Sequence, residues 1–198
     1  MAQAKRKKRF FKVDMPILGK ETELQAFELS ELGGRIIKYD LTRLLRGKGT
    51  LMSLKVSVKK EKATSEPIML DVLPFVLKRM VRKGTDYIED SFSTNCKDKK
   101  IRIKPILVSR RKISRAVKKA LRNKAKETIQ KELETKTSEE IFEELLRGQI
   151  QKKISGILKK VYPLSTFEIR NIKVEGPLDK KKETEKKEKE EKKEETKE

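Results

Sequence analysis

Positive charge restricts this chain more than any other feature, because it is gathered rather than spread. The 198 residues carry 52 Lys and Arg against 31 Asp and Glu, a formal +21, and two short stretches hold +19 of it. Residues 1–13 contain six bases and no acid, and residues 97–126 contain fourteen bases and one acid, Asp98. The remainder is close to neutral. Like charges packed this closely oppose compaction, so a polyanion is the expected partner of both stretches. A surface charged for heat tolerance intersperses the two signs instead.

Composition closes several routes to catalysis. There is no His, which removes imidazole general bases, Ser-His and Cys-His nucleophiles and His-ligated metals. One cysteine, Cys96, allows no intrachain disulfide, zinc ribbon or cysteine-held cluster. No apolar run reaches the ~18 residues of a membrane span, and no apolar stretch of a secretory signal follows the basic start. The expectation is a soluble, cytoplasmic chain without metal, cofactor or small-molecule substrate.

The hydrophobic pattern orders the chain. Residues 1–13 read as a basic arm, disordered alone and ordered on an anion, in which Phe10 and Phe11 either stack on bases or dock the arm. Residues 176–198 read as a low-complexity tail, with nine bases and nine acids from Pro177 onward and almost nothing apolar after Leu178. Between them, residues 14–175 form one domain: strand-rich over 14–109, helical over 110–162, with a final strand at 165–174. Met52, Leu54, Val56 and Val58 alternate with Ser53, Lys55, Ser57 and Lys59, the period of a half-buried strand. Arg35–Leu41 and Pro67–Leu70 are further strand candidates. Residues 86–94 and 99–108 flank a turn at Asn95–Asp98, with Pro105 marking an edge or a bulge. Asp71 is placed to cap a short helix carrying Leu73, Val76, Leu77 and Met80.

From Ile113 onward, Val117, Leu121, Ala125, Ile129 and Leu133 recur at helical spacing. A basic row, Arg111, Arg115, Lys118 and Arg122, occupies the opposite face. Thr137 and Glu140 match a capping box for a second helix. Gly148 interrupts it, and a third helix runs to Tyr162-Pro163. This order predicts an α+β fold, an antiparallel β-barrel or curled sheet with a helical subdomain and a returning C-terminal strand.

Few residues offer chemistry. Gly47-Lys48-Gly49-Thr50 lacks the spacing of a phosphate-binding loop and reads as a strand connector whose exposed amides could touch a phosphate. Asp86, Glu89 and Asp90 could hold magnesium in a nuclease, although on a strand only 86 and 90 share a face. Lys97, Lys99 and Lys100 could lower the pKa of Cys96, which without His reads as a bystander. No clustered aromatic signature of an RNA-recognition motif and no GXXG loop occurs. What remains is Lys and Arg contact with the phosphates of a structured RNA. The alternatives are a basic helix in a DNA groove, an RNA-processing protein, and a basic protein on an anionic membrane.

Four segments carry a resemblance. They are Leu32–Leu41 (LGGRIIKYDL), Arg79–Asp90 (RMVRKGTDYIED), Ile101–Ser114 (IRIKPILVSRRKIS) and Val161–Val174 (VYPLSTFEIRNIKV). In this order, across about residues 32–175, the chain resembles the small-ribosomal-subunit protein family called S three Ae (eukaryote-type S one) of archaea and eukaryotes. It departs from that pattern in lacking the usual Trp near the start and in a shortened region 42–70. The resemblance implies a β-barrel with a helical subdomain, on the platform of the small subunit near the messenger exit. It also implies a non-catalytic component bound to rRNA near its 3′ end, beside other platform proteins and close to messenger RNA. Charge and resemblance together nominate Lys5, Arg6, Lys7, Lys8, Arg9 and Lys12 of the arm as rRNA-binding. Arg110, Arg111, Lys112, Arg115, Lys118, Lys119 and Arg122 form a second group, and Arg35 comes from the matching glycine–arginine strand.

Overall fold

The structure, a computed structural model, describes residues 7–59 and 62–177. Lys5, Arg6 and the charged tail from 178 onward lie outside the described residues.

Alternation at Phe11, Val13 and Met15 makes a strand of the arm's second half, β1 (Arg9–Met15), which pairs antiparallel with β2 (Lys20–Ala26). Arg9 to Val13 therefore belong to the sheet rather than to a free arm. Val13 is fully buried, Phe11 packs on a small core cluster, and Lys12 faces the acids of β2. β3 (Ile36–Asp40) and β4 (Thr50–Lys59) follow, with Met52, Leu54 and Val56 of β4 buried.

β5 (Lys62–Val72) organises the sheet. One edge pairs along its length with β4, and the other is divided between β1, parallel at Ala63 and Thr64, and β9 (Leu164–Pro177), antiparallel at Met69 to Asp71. The sheet continues through β8 (Lys99–Ser109) to the short β6 (Tyr87–Glu89) and β7 (Phe92–Asn95). It is thus a mixed, curled nine-stranded sheet, not a closed antiparallel barrel: its end strands β2 and β6 do not pair, and β7 packs against a helix instead.

Pro105 explains why the strand expected at 86–94 is two pieces. It lies in a bulge of β8, opposite the Asp90-Ser91 break between β6 and β7, because it has no N–H for a regular ladder. Asp71 is likewise not a cap. It sits in β5 and accepts from Asn171 Nδ2 at 3.0 Å, while α1 (Pro74–Met80) opens on a proline whose missing N–H needs no acceptor.

The helical block lies on this sheet. α2 (Arg115–Glu134) buries Leu121, Ala125, Ile129 and Leu133, the stripe its spacing dictates. α3 (Ser138–Arg147) begins with the expected capping box, in which Thr137 Oγ1 accepts from Glu140 N and Glu140 accepts from Thr137 N. Gly148, at φ 73°, supplies the left-handed residue that joins α3 to α4 (Gln149–Leu158). One large core of β4, β5, β8, β9 and α2 to α4 residues results, with Phe142 and Ile129 wholly enclosed.

Candidate nucleic-acid interface

A basic corner forms where β8 hands over to α2. Ser109, the last residue of β8, is pinned to Asp86 by paired backbone and side-chain bonds: Ser109 N to Asp86 O at 2.9 Å and Asp86 N to Ser109 Oγ at 3.1 Å. One Asp86 carboxylate oxygen then accepts from Ile113 N at 2.9 Å and lies 3.1 Å from Lys118 Nζ. Ser114 has cap geometry but makes no side-chain cap bond, so Asp86 supplies the negative charge that the N-terminus of α2 favours. The Ile113 N–H, followed by Lys118, holds the Asp86 carboxyl below its ordinary value of 3.8.

These bonds redirect two of the expected roles. Asp86 is a clamp, and Glu89 pairs with Arg170 at 3.3 Å. No group of three potential metal ligands occurs among the described residues, so nothing supports the magnesium reading of Asp86, Glu89 and Asp90. Lys118, nominated for RNA, is turned inward onto Asp86 with its side chain 35% exposed.

The clamp leaves the rest of the corner outward. Arg110, Arg111, Lys112, Arg115, Lys119 and Arg122 are all exposed. Among the described residues, Arg110, Arg111, Arg115, Lys119 and Arg122 have no carboxylate within ion-pair distance, and the first turn of α2 contains no acid. Bases at the positive end of a helix dipole repel it as well as one another, so this arrangement costs the isolated fold stability.

Arg122 connects the corner to a groove of about 610 Å³ that it lines together with Arg102 and Lys104 of β8, Arg170 of β9 and the acids Glu89 and Asp90. Arg102 is offset by Glu175 at 2.7 Å and Arg170 by Glu89, whereas among the described residues Lys104 and Arg122 have no carboxylate within ion-pair distance. The nominated set omits Arg102, Lys104 and Arg170, although a signal existed: Arg102 and Lys104 alternate with buried Ile101 and Ile103 in the stretch richest in charge.

The other nominated residues lie elsewhere. None of the arm's described bases lines the groove, and β1 is separated from β8 in the sheet by β5 and β9. Lys7 and Arg9 are exposed, Lys8 sits 5.7 Å above the Phe27 ring, and Lys12 lies 3.6 Å from Glu21. Arg35 donates to Gln25 O at 2.9 Å and approaches Glu31, so its guanidinium is engaged within the fold. Cys96 is buried, and burial, with a smaller contribution from Asp98, pushes its thiol up to about 11. Its neighbouring lysines do not activate it.

The chain is similar to curated proteins of three archaea. Small ribosomal subunit protein eS1 of Nanoarchaeum equitans is 26% identical over 180 residues, covering 86% of this chain and 90% of the relative. The eS1 proteins of Halorubrum lacusprofundi, at 26% with 88% and 85% covered, and Haloarcula marismortui, at 24% with 82% and 77% covered, align similarly. The description of the Ribosomal S3Ae family matches residues 3–177, so sheet, clamp, basic corner and groove all fall inside the match, and the chain belongs to the Ribosomal S3Ae family.

Proposed function

We propose that this chain is a non-catalytic structural component of the small ribosomal subunit that binds rRNA through phosphate contacts. Family membership supports the subunit. The observation that carries the RNA contact is the exposed, unpaired set Arg110, Arg111, Arg115, Lys119 and Arg122, held outward by Asp86 beside the Arg122–Lys104 groove. A row of cations with no internal acid is offset when phosphates replace condensed counterions, and a groove floored by a sheet and walled by a helix positions a backbone without reading bases. The exposed bases Lys7 and Arg9, together with Lys5 and Arg6, form a second contact. By the family's resemblance, the site is on the platform near the messenger exit and the rRNA 3′ end, beside other platform proteins.

The test is sedimentation of native extract on sucrose gradients at moderate and high salt, following this chain by mass spectrometry. Stoichiometric migration with the small subunit is expected. Migration at the top of the gradient, or with nucleoid DNA, contradicts the proposal.

A further inference from the structure

A second set of bases lies outside both charge-rich stretches of the sequence. The end of α1 and the turn after it carry Lys78, Arg79, Arg82 and Lys83, all exposed, with no acid among residues 78–83. Arg79 and Arg82 line a groove of about 430 Å³ that reaches Ser165 and Thr166 at the start of β9. The same Ser165 and Thr166 line a second groove of about 410 Å³, whose far wall is the face of α4 with Lys152 and Gly156, extended by Lys159. The two grooves therefore form one trough with two bases on each side. Strand pairing sets this trough at the sheet end that carries the basic corner, since Thr166 lies opposite Val108 and Leu164 opposite Ser109.

Charge and shape narrow what the trough holds. Among the described residues, Arg79, Arg82, Lys152 and Lys159 have no carboxylate within ion-pair distance, and Arg79 lies 5.2 Å from the centre of the exposed Phe75 ring instead. Glu168, which also lines the trough, is taken by Lys48 at 2.7 Å. Gly156 is an independent observation. It lies inside α4 without the left-handed conformation that ends a helix, and a Cβ added there would meet nothing within 4 Å. Neither the backbone nor the packing of the fold requires this glycine, and glycine in a helix costs stability. Its use is the bare wall it leaves, against which another backbone can approach closely. An acidic protein segment would bind by burying apolar anchors, and none of the exposed large apolar side chains lines the trough. A phosphate backbone needs only the cations.

We propose that the trough holds a sugar–phosphate strand of RNA, with phosphates on Arg79 and Arg82 at one side and on Lys152 and Lys159 at the other, and with the strand running against Gly156. The inference rests on the RNA-binding reading above and adds to it a second contact surface, built from α1, the start of β9 and α4 rather than from α2 and β8.

Two measurements on the full-length protein test it. In the first, binding to small-subunit rRNA is followed by filter binding across a salt series. Arg79→Gln, Arg82→Gln, Lys152→Gln and Lys159→Gln together should make the log–log slope shallower by about 2.8 to 3.6, at 0.7 to 0.9 for each of four phosphates. Gly156→Gln, which fills the trough and leaves the charge alone, should weaken binding at least threefold with a melting temperature unchanged or raised. An unchanged slope in the charge variant overturns the proposal, and so does unchanged affinity in Gly156→Gln. A lower melting temperature in Gly156→Gln would assign the glycine to the fold and also overturn the close approach. In the second, the photo-crosslinker p-benzoylphenylalanine replaces Lys160, which is exposed and borders the trough without lining it, in assembled particles. An adduct with the mass of a nucleotide after nuclease digestion supports the proposal, and an adduct with a peptide overturns it in favour of an acidic protein. Neutralising Arg115 and Arg122 in parallel separates the two failures. If that change alone weakens rRNA binding, the RNA reading stands without this trough; if neither change matters, both fall.

Discussion

The two halves of α2 are built from similar residues and spend their charge differently. From Arg115 to Arg122 the charged residues of the helix are all bases, at the end where its dipole is positive, and among the described residues only Lys118 of these finds an acid, Asp86. Toward the other end the signs are mixed and matched: Glu132 lies 3.4 Å from Lys136 and 3.6 Å from Lys153, and Lys136 also pairs with Glu144 of α3. Burial opposes the charge of Lys136, yet Glu144 and Glu132 still raise its pKa above the ordinary 10.5. Charge in the second half holds helices together. Charge in the first half opposes folding unless something outside the chain is negative, and such local conflict is characteristic of functional surfaces.

Neutralising the first half together with Arg111, just before it, should produce the largest effect. Replacing Arg111, Arg115, Lys119 and Arg122 by Gln should weaken rRNA binding by about 10²- to 10³-fold near physiological salt. The melting temperature should hold or rise; a fall in thermal melts would assign these residues to the fold. In the second half the effect should fall on stability instead. Lys136→Met leaves Glu132 and Glu144 short of a partner and should cost about 1–2 kcal/mol in urea denaturation, with rRNA affinity unchanged in filter binding. Thr137→Ala, which removes the capping box of α3, should cost about 1 kcal/mol by the same measurement.

Asp86 serves both ends of this contrast, since it anchors the fold and presents the row. Its carboxyl titrates below 3.8 when folded, so the unfolded chain binds the proton more readily. The stability it contributes is complete above pH 3.8 and is lost as pH falls through the lower folded value. Asp86→Asn should therefore flatten the acid arm of the stability–pH curve below pH 3.8 and lower stability at neutral pH. An unchanged acid arm would show that Asp86 is no clamp. The smallest effect belongs to Lys12→Gln, whose ion pair with Glu21 is exposed on both sides and is worth under about 0.5 kcal/mol in chemical denaturation.

Much of the fold was legible in the chain because it rests on local periodicity. The alternation of Met52, Leu54 and Val56, the Leu121–Leu133 stripe and the Thr137–Glu140 box are each set by residues within a few positions of one another. β1 was hidden because its inward side chains, Phe11, Val13 and Met15, are interleaved with charge, and six bases among residues 1–13 outweighed the period of two. The same blindness to long-range partners affected the site. The charge of the α2 row is plain in the sequence. That Lys118 leaves the row for Asp86 and that Arg102 and Lys104 join Arg122 depend on strand pairing and helix placement, which no local pattern encodes.

The central claim is that the unpaired bases just before and within the first half of α2 meet phosphates. The most direct measurement is the salt dependence of small-subunit rRNA binding by the wild-type chain and by the Arg111, Arg115, Lys119 and Arg122 to Gln variant. The log–log slope should become shallower by roughly 3.6 in the variant, near 0.9 for each of the four phosphates no longer neutralised. Identical slopes for the two proteins would contradict the account, because the row would then release no counterions and its charge would face no RNA.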